Sequence, residues 1–259
     1  QSKTRYGGME NAGNIFYFEN SVNGRADQEK LIAHEIAHQW FGNSATEADW
    51  QHIWLSEGFA TYMTNVYLEE VRGDQVRADN MKAERDRVVA YYKYAQKPIV
   101  YEEKEDLNKL LNPNSYQKGA WFLHMLRRKV GDEVFWRSIE EYYRMFKNAN
   151  ATTQDFRRIV EKNHNSDLSA FFNQWLFRPG HPQIKTSLQQ KGKNTVVNIQ
   201  QTQKNLFEED MEIRLLMENG TTIEKVLSLS EKEHRIKVEG QVYELILDPN
   251  TDVLFEKIK

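Results

Sequence analysis

Apolar residues recur every three to four positions as far as about residue 180 and at alternate positions after it. The chain therefore changes from a helix-forming to a strand-forming pattern near Arg178-Pro179-Gly180-His181-Pro182. In the first part, the spacing predicts a helix from near Asp27 that carries Leu31, His34, Glu35, His38 and Phe41. Gly42-Asn43 stops it as a glycine C-cap would. A second helix is predicted from about His52 to about Val71, ahead of Gly73-Asp74. A third, about Gln75 to Gln96, is so rich in Lys, Arg, Asp and Glu that it reads as a solvated amphipathic helix. Asn112-Pro113-Asn114-Ser115 is a loop of capping residues, and the helix after it holds Tyr116, Gly119, Ala120, Phe122, Leu123 and Leu126. Further helices fit Asp132–Phe146, Thr153–Lys162 and Asp167–Leu176, punctuated by Gly131, Thr152 and Ser166. Upstream of all these, Ile15-Phe16-Tyr17-Phe18 is a short β-prone run.

In the second part, Ile184, Thr186 and Leu188 alternate, as do Met211, Ile213, Leu215 and Met217. Asn219-Gly220 then reads as a tight hairpin turn before Ile223, Lys225, Leu227 and Leu229. Ile236/Val238 and Tyr243/Leu245/Leu247 continue the alternation. Seven or so short strands with turns between them predict a small antiparallel β-sandwich. There is no internal repeat and no low-complexity tract.

Composition narrows the chemistry. The 259 residues suffice for one large domain or two smaller ones, and a net charge of −3 offers no basic excess for nucleic acid. No apolar run reaches the roughly 20 residues of a membrane helix. With no Cys, disulfides and thiolate ligands are excluded, and any metal must be held by His and carboxylates. Gln1-Ser2-Lys3-Thr4-Arg5 shows no signal peptide and no initiator Met, which suggests a piece of something longer. The compartment is not legible.

The candidate chemistry lies in His34-Glu35-Ile36-Ala37-His38 and Trp54-Leu55-Ser56-Glu57-Gly58-Phe59-Ala60-Thr61. Two His four positions apart share one helix face and can converge on one ion, while Glu35 points elsewhere and can reach a water. Catalytic zinc takes three protein ligands and leaves a position open. Glu57, with eighteen residues between it and His38, is the candidate third ligand. The expected set is thus one Zn2+ on His34, His38 and Glu57, with Glu35 as general base. The other His are weaker: His124 reads as packing, His52, His164 and His234 as surface or loop, and His181 as part of the junction.

His34 through Asn43 and Trp54 through Ala60 resemble the zinc signature of the metallo-aminopeptidases related to aminopeptidase N, a family that includes the leukotriene-epoxide hydrolase. Gly7-Gly8-Met9-Glu10-Asn11 resembles that family's exopeptidase motif, and Tyr116-Gln117-Lys118-Gly119-Ala120 the segment holding its catalytic tyrosine. The resemblance implies a thermolysin-like, mostly helical core over residues 1–180, lacking its upstream sheet, followed by the β-sandwich over residues 181–259, in all an α+β chain. It implies that Glu10 binds a substrate's free α-amine, that Gly7, Gly8, Met9 and Asn11 line the substrate, and that Tyr116 donates to the oxyanion. Ser56 departs from the family, which usually has Asn there.

The implied reaction is removal of the N-terminal residue from a peptide with a free N-terminus. Epoxide hydrolysis or endopeptidase action on the same scaffold are the alternatives. Only six residues precede Gly7, so an N-terminal domain of the same protein is the expected missing partner. Without it, these residues are expected to be a catalytically weak zinc- and peptide-binding module.

Overall fold

The computed structural model describes residues 6–21, 23–103 and 106–259, so Gln1 to Arg5 lie outside the described residues. The chain divides into one unit ending at Pro179 and another from Gly180 to Lys259.

The first unit opens with β1 (Gly8–Met9) paired antiparallel to β2 (Phe16–Tyr17), inside the β-prone run. A 3-10 turn, Ala26–Gln28, leads into α1 (Glu29–Ala37). The regular helix is shorter than its sequence pattern, but His38 keeps helical angles and its N–H bonds His34 O at 3.2 Å. The two imidazoles therefore stay one turn apart on one face. Next come β3 (Ala45–Glu47), a 3-10 turn at Trp50–His52, α2 (Trp54–Arg72) and α3 (Asp74–Tyr92). A π-helical turn, Asn114–Lys118, runs straight into α4 (Gly119–Val130). The unit closes with α5 (Asp132–Phe146), β4 (Ala149–Ala151), α6 (Thr153–His164) and α7 (Ser169–Phe172). A second π turn at Asn173–Phe177 replaces the end of the helix expected to reach Leu176. β3 and β4 pair in parallel.

The core is built around α2. Every residue from Trp54 to Tyr62 is buried, as befits a helix enclosed on all sides. Aromatic rings pack against it: Trp54 meets Phe122 edge-on at 5.2 Å, and Phe59 lies 5.4 Å from Tyr142 and 5.2 Å from Phe156. A Cβ on Gly58 would stand 3.0 Å from Gly119 Cα, so α2 and the start of α4 meet with no side chain between them. That contact brings the Tyr116 turn against Glu57. Thr152 begins α6 through a capping box with Asp155.

Two sequence expectations are corrected here. α3 is not simply solvated: Arg77 and Glu84 are buried along with Ala78, Met81 and Val88. Partners on α3 itself and on neighbouring helices absorb their charges: Arg77 pairs with Asp74 at 2.7 Å and Asn80 donates to Glu84 at 3.0 Å, both within α3. Arg77 Nη1 lies 3.2 Å from His124 Nε2, and Asn65 donates to Glu84 at 3.0 Å. His52 is not a surface residue either. It is buried, with Nδ1 2.9 Å from Thr153 Oγ1, which also accepts from Trp54 Nε1.

The second unit holds two sheets. One has β10 (Val242–Leu247), β7 (Glu209–Met217) and β8 (Thr222–Leu229), the last two joined through Asn219-Gly220 as a hairpin. The other orders β11 (Glu256–Ile258), β5 (Gln183–Lys191), β6 (Asn194–Gln201) and β9 (Glu233–Glu239). Alternate residues such as Val197, Ile199, Met211, Ile213 and Leu215 are buried. The sandwich is not wholly antiparallel, because β11 pairs in parallel with β5. That short strand has too few residues to show alternation. His181, expected at the junction, is buried within this unit, 3.4 Å from Glu256.

Candidate metal centre

Among the described residues, one group of His and carboxylate side chains converges closely enough to hold a metal ion: His34, His38 and Glu57. The Nε2 atoms of His34 and His38 are 3.0 Å apart. Glu57 Oε2 is 3.3 Å from the first and 3.2 Å from the second. α1 supplies the imidazoles and the first turn of α2 supplies the carboxylate.

Electrostatics says what this triangle wants. Burial would push Glu57 up, but the hydrogen bonds and charge of His34 and His38 outweigh it and lower the carboxyl to about 2. Burial opposes charge on His38, yet the Glu57 carboxylate raises it to about 9. The Glu57 carboxylate thus favours positive charge at the imidazoles, a demand that a cation also meets. Glu57 Oε2 is buried with no other hydrogen-bond partner, the condition of an atom reserved for a ligand. Ligand atoms about 2.1 Å from a tetrahedral zinc stand about 3.4 Å from one another, close to the spacings seen here. The residues fit the ion.

His38 is also oriented. Its Nδ1 donates to the carbonyl of Phe41 at 3.0 Å, which leaves the Nε2 lone pair for a metal. No motif announces a backbone acceptor, so this partner was not legible in the sequence. The His34 ring stacks on Tyr116, with centroids 5.9 Å apart and 17° between planes.

The remaining predicted residues gather around the triangle. Glu35 is buried, and burial, with the charges of Glu10 and Glu57 adding to it and His38 opposing, raises its carboxyl to about 7. A carboxyl held there changes protonation near neutral pH. Gly8 lies directly beneath the Glu35 side chain. Tyr116 donates its hydroxyl to Glu57 Oε1 at 2.7 Å. Burial first, then the charge and hydrogen bond of Glu57, hold its phenol far above the ordinary tyrosine value, so it remains a donor. Glu10 is half-buried, and its charge is felt at Glu35, His38 and Tyr116.

The Glu10 segment is fastened to the loop after His38. Gln39 Nε2 donates to Glu10 O at 2.9 Å, Asn43 Nδ2 donates to the same oxygen, and Gly13 N bonds Gln39 Oε1 at 2.8 Å. Met9, Gly7 and Asn11 are exposed beside it, with Met9 in β1. Glu47 was not foreseen: its carboxylate accepts the Ser56 hydroxyl just behind the triangle.

Comparisons with known proteins agree with one another. Residues 2–175 match the family described as the Peptidase family M1 domain. The probable aminopeptidase 1 of Sulfurisphaera tokodaii is 32% identical over 200 residues, covering 71% of this chain and 25% of that protein. The alanine/arginine aminopeptidase of Saccharomyces cerevisiae is 28% identical over 264 residues, covering 92% of this chain and 30% of that protein. In fold, the chain is similar to Legionella pneumophila aminopeptidase A, crystallised with aspartic acid, at a TM-score of 0.76 and 18% identity over 98% of this chain and 30% of that one. The chain therefore spans about a quarter to a third of the length of these relatives.

Proposed function

Since the chain belongs to the peptidase M1 family, we propose that it is the catalytic portion of a zinc aminopeptidase that removes the N-terminal residue from peptides. The observation that carries this reading is the arrangement of Glu10 and Glu35 around one three-ligand triangle. His34, His38 and Glu57 would hold the zinc. Bound there, the ion supplies Lewis acidity that polarises a carbonyl and makes water easier to deprotonate.

The side chains do the rest. Glu10 accepts the substrate's ammonium group and so sets the first peptide bond over the site; a fixed carboxylate makes strong charge-assisted bonds to such a group. Glu35 takes the proton from the attacking water. It then returns that proton to the leaving nitrogen, so the peptide C–N bond breaks as the new C–O bond stays. Tyr116 turns its hydroxyl from Glu57 to the developing oxyanion, a donation typically worth about 3–4 kcal/mol.

The whole protein would complete the site. Ile32 and Ile36 on α1 and Trp40 in the turn after it are exposed apolar residues that line a cavity of about 720 Å³ together with Met63 and Tyr67. Cover of that face by further chain of the same protein suits the length of the relatives. On this reading, residues 1–259 alone turn over weakly even with zinc. The test of the exopeptidase reading compares free and N-acetylated peptides with the full-length protein. Cleavage of the free peptide alone is expected, and equal rates would overturn it.

A further inference from the structure

Ser56 stands one residue ahead of Glu57, and its hydroxyl donates to the carboxylate of Glu47. Glu47 ends β3, and β3 is firmly held. It pairs with β4 in the register Glu47↔Ala151. Asn150 Nδ2 donates to Glu47 O at 3.1 Å, and Ala48 N bonds Ala151 O at 2.8 Å. The other end of β3 closes on the segment after His38: Gly42 N bonds Ala45 O at 2.8 Å, Ala45 N bonds Trp40 O at 2.9 Å, and Asn43 N bonds His38 O at 2.9 Å. A Cβ built on Gly42 would lie 2.9 Å from His38 Nδ1 and 3.3 Å from Ser56 Oγ, so the imidazole edge and the serine hydroxyl border the same point. Glu47 interacts electrostatically with both His38 and Glu57.

Resting on the zinc reading above, we propose that Glu47 is a positioning residue of the metal centre. Through Ser56 it locks the first turn of α2 to β3, and so fixes Glu57 relative to His34 and His38. Its negative charge behind His38 adds to the pull on a cation. A serine serves where the resembling family usually has Asn because a carboxylate on β3 is within reach of its short hydroxyl.

The experiment measures zinc affinity of the full-length protein by competition with a chromophoric chelator, and thermal unfolding of the zinc-free forms. The variants are Glu47→Gln, Ser56→Ala and the two combined. Each single change is expected to weaken zinc roughly 10- to 100-fold. The double variant should bind no more weakly than the worse single one, because the two residues act through one link. Wild-type affinity in both single variants, or penalties that add, would overturn the proposal. A lower zinc-free Tm with unchanged zinc affinity would also overturn it, since the role would then be structural only. If Glu47→Gln does not fold, Ser56→Ala decides by the same measure. Failure of the wild-type protein to take up zinc would instead remove the metal reading itself, and this inference with it.

Discussion

The side chain of Glu35 rests on the Cα of Gly8: a Cβ there would stand 2.6 Å from Glu35 Cγ. No flexible tip is available to yield, because the overlap includes the stem of the side chain. Gly8→Ala should therefore displace either the base or β1 while leaving all three metal ligands in place. A misplacement of about 1 Å can cost roughly 100-fold in rate. Steady-state kinetics of the full-length variant, with zinc content measured alongside, checks this. An unchanged kcat would mean that Glu35 does not need this seat.

Glu35→Gln removes the base and keeps the volume. Zinc should remain bound one to one, and kcat should fall about 10²- to 10⁴-fold, the usual worth of a positioned acid–base group. Metal loss in this variant would make Glu35 a structural residue of the site rather than its base.

Tyr116→Phe deletes a hydroxyl that bonds Glu57 at 2.7 Å. The expected result is a fall of about 10²- to 10³-fold in kcat with little change in KM, the pattern of a donor needed only in the transition state. A rise in KM with kcat intact would assign Tyr116 to substrate binding instead.

Glu84 gives a pH prediction away from the metal. Burial raises its carboxyl from 4.5 to about 7, against the hydrogen bonds from Asn65 and Asn80 and the charges of Arg87 and Lys30. The folded state then binds more protons than the unfolded one between these two values. Stability from this group is full below about pH 4.5 and is lost as pH rises through about 7. The loss is on the order of 1–3 kcal/mol. Urea unfolding at pH 5 and pH 8 should show a smaller decline for Glu84→Gln than for the wild type. Identical declines would show that Glu84 keeps its charge throughout.

The sequence displayed the parts of this molecule whose meaning is local. His34 and His38 are a helical turn apart, so their convergence follows from spacing alone. Alternation from Met211 to Met217 marks a strand for the same reason. What it hid is set by distant partners. Glu47 meets Ser56 only because β3 and α2 pack together, and Glu84 looks like one more solvated charge until Asn65 and Asn80 enclose it. The parallel pairing of β11 with β5 joins residues 183–185 to residues 256–258, a contact no short window contains.

The turn at Asn114–Lys118 closes with the wider π-type spacing before α4 resumes ordinary winding. One surplus residue in a helix rotates everything ahead of it by about 100° relative to everything behind. Tyr116 faces Glu57 partly by virtue of counting: take out Ser115, regularise the coil, and the phenol swings away from Glu57 although Tyr116 through Ala120 all survive. The length of this turn therefore matters as much as the letters in it.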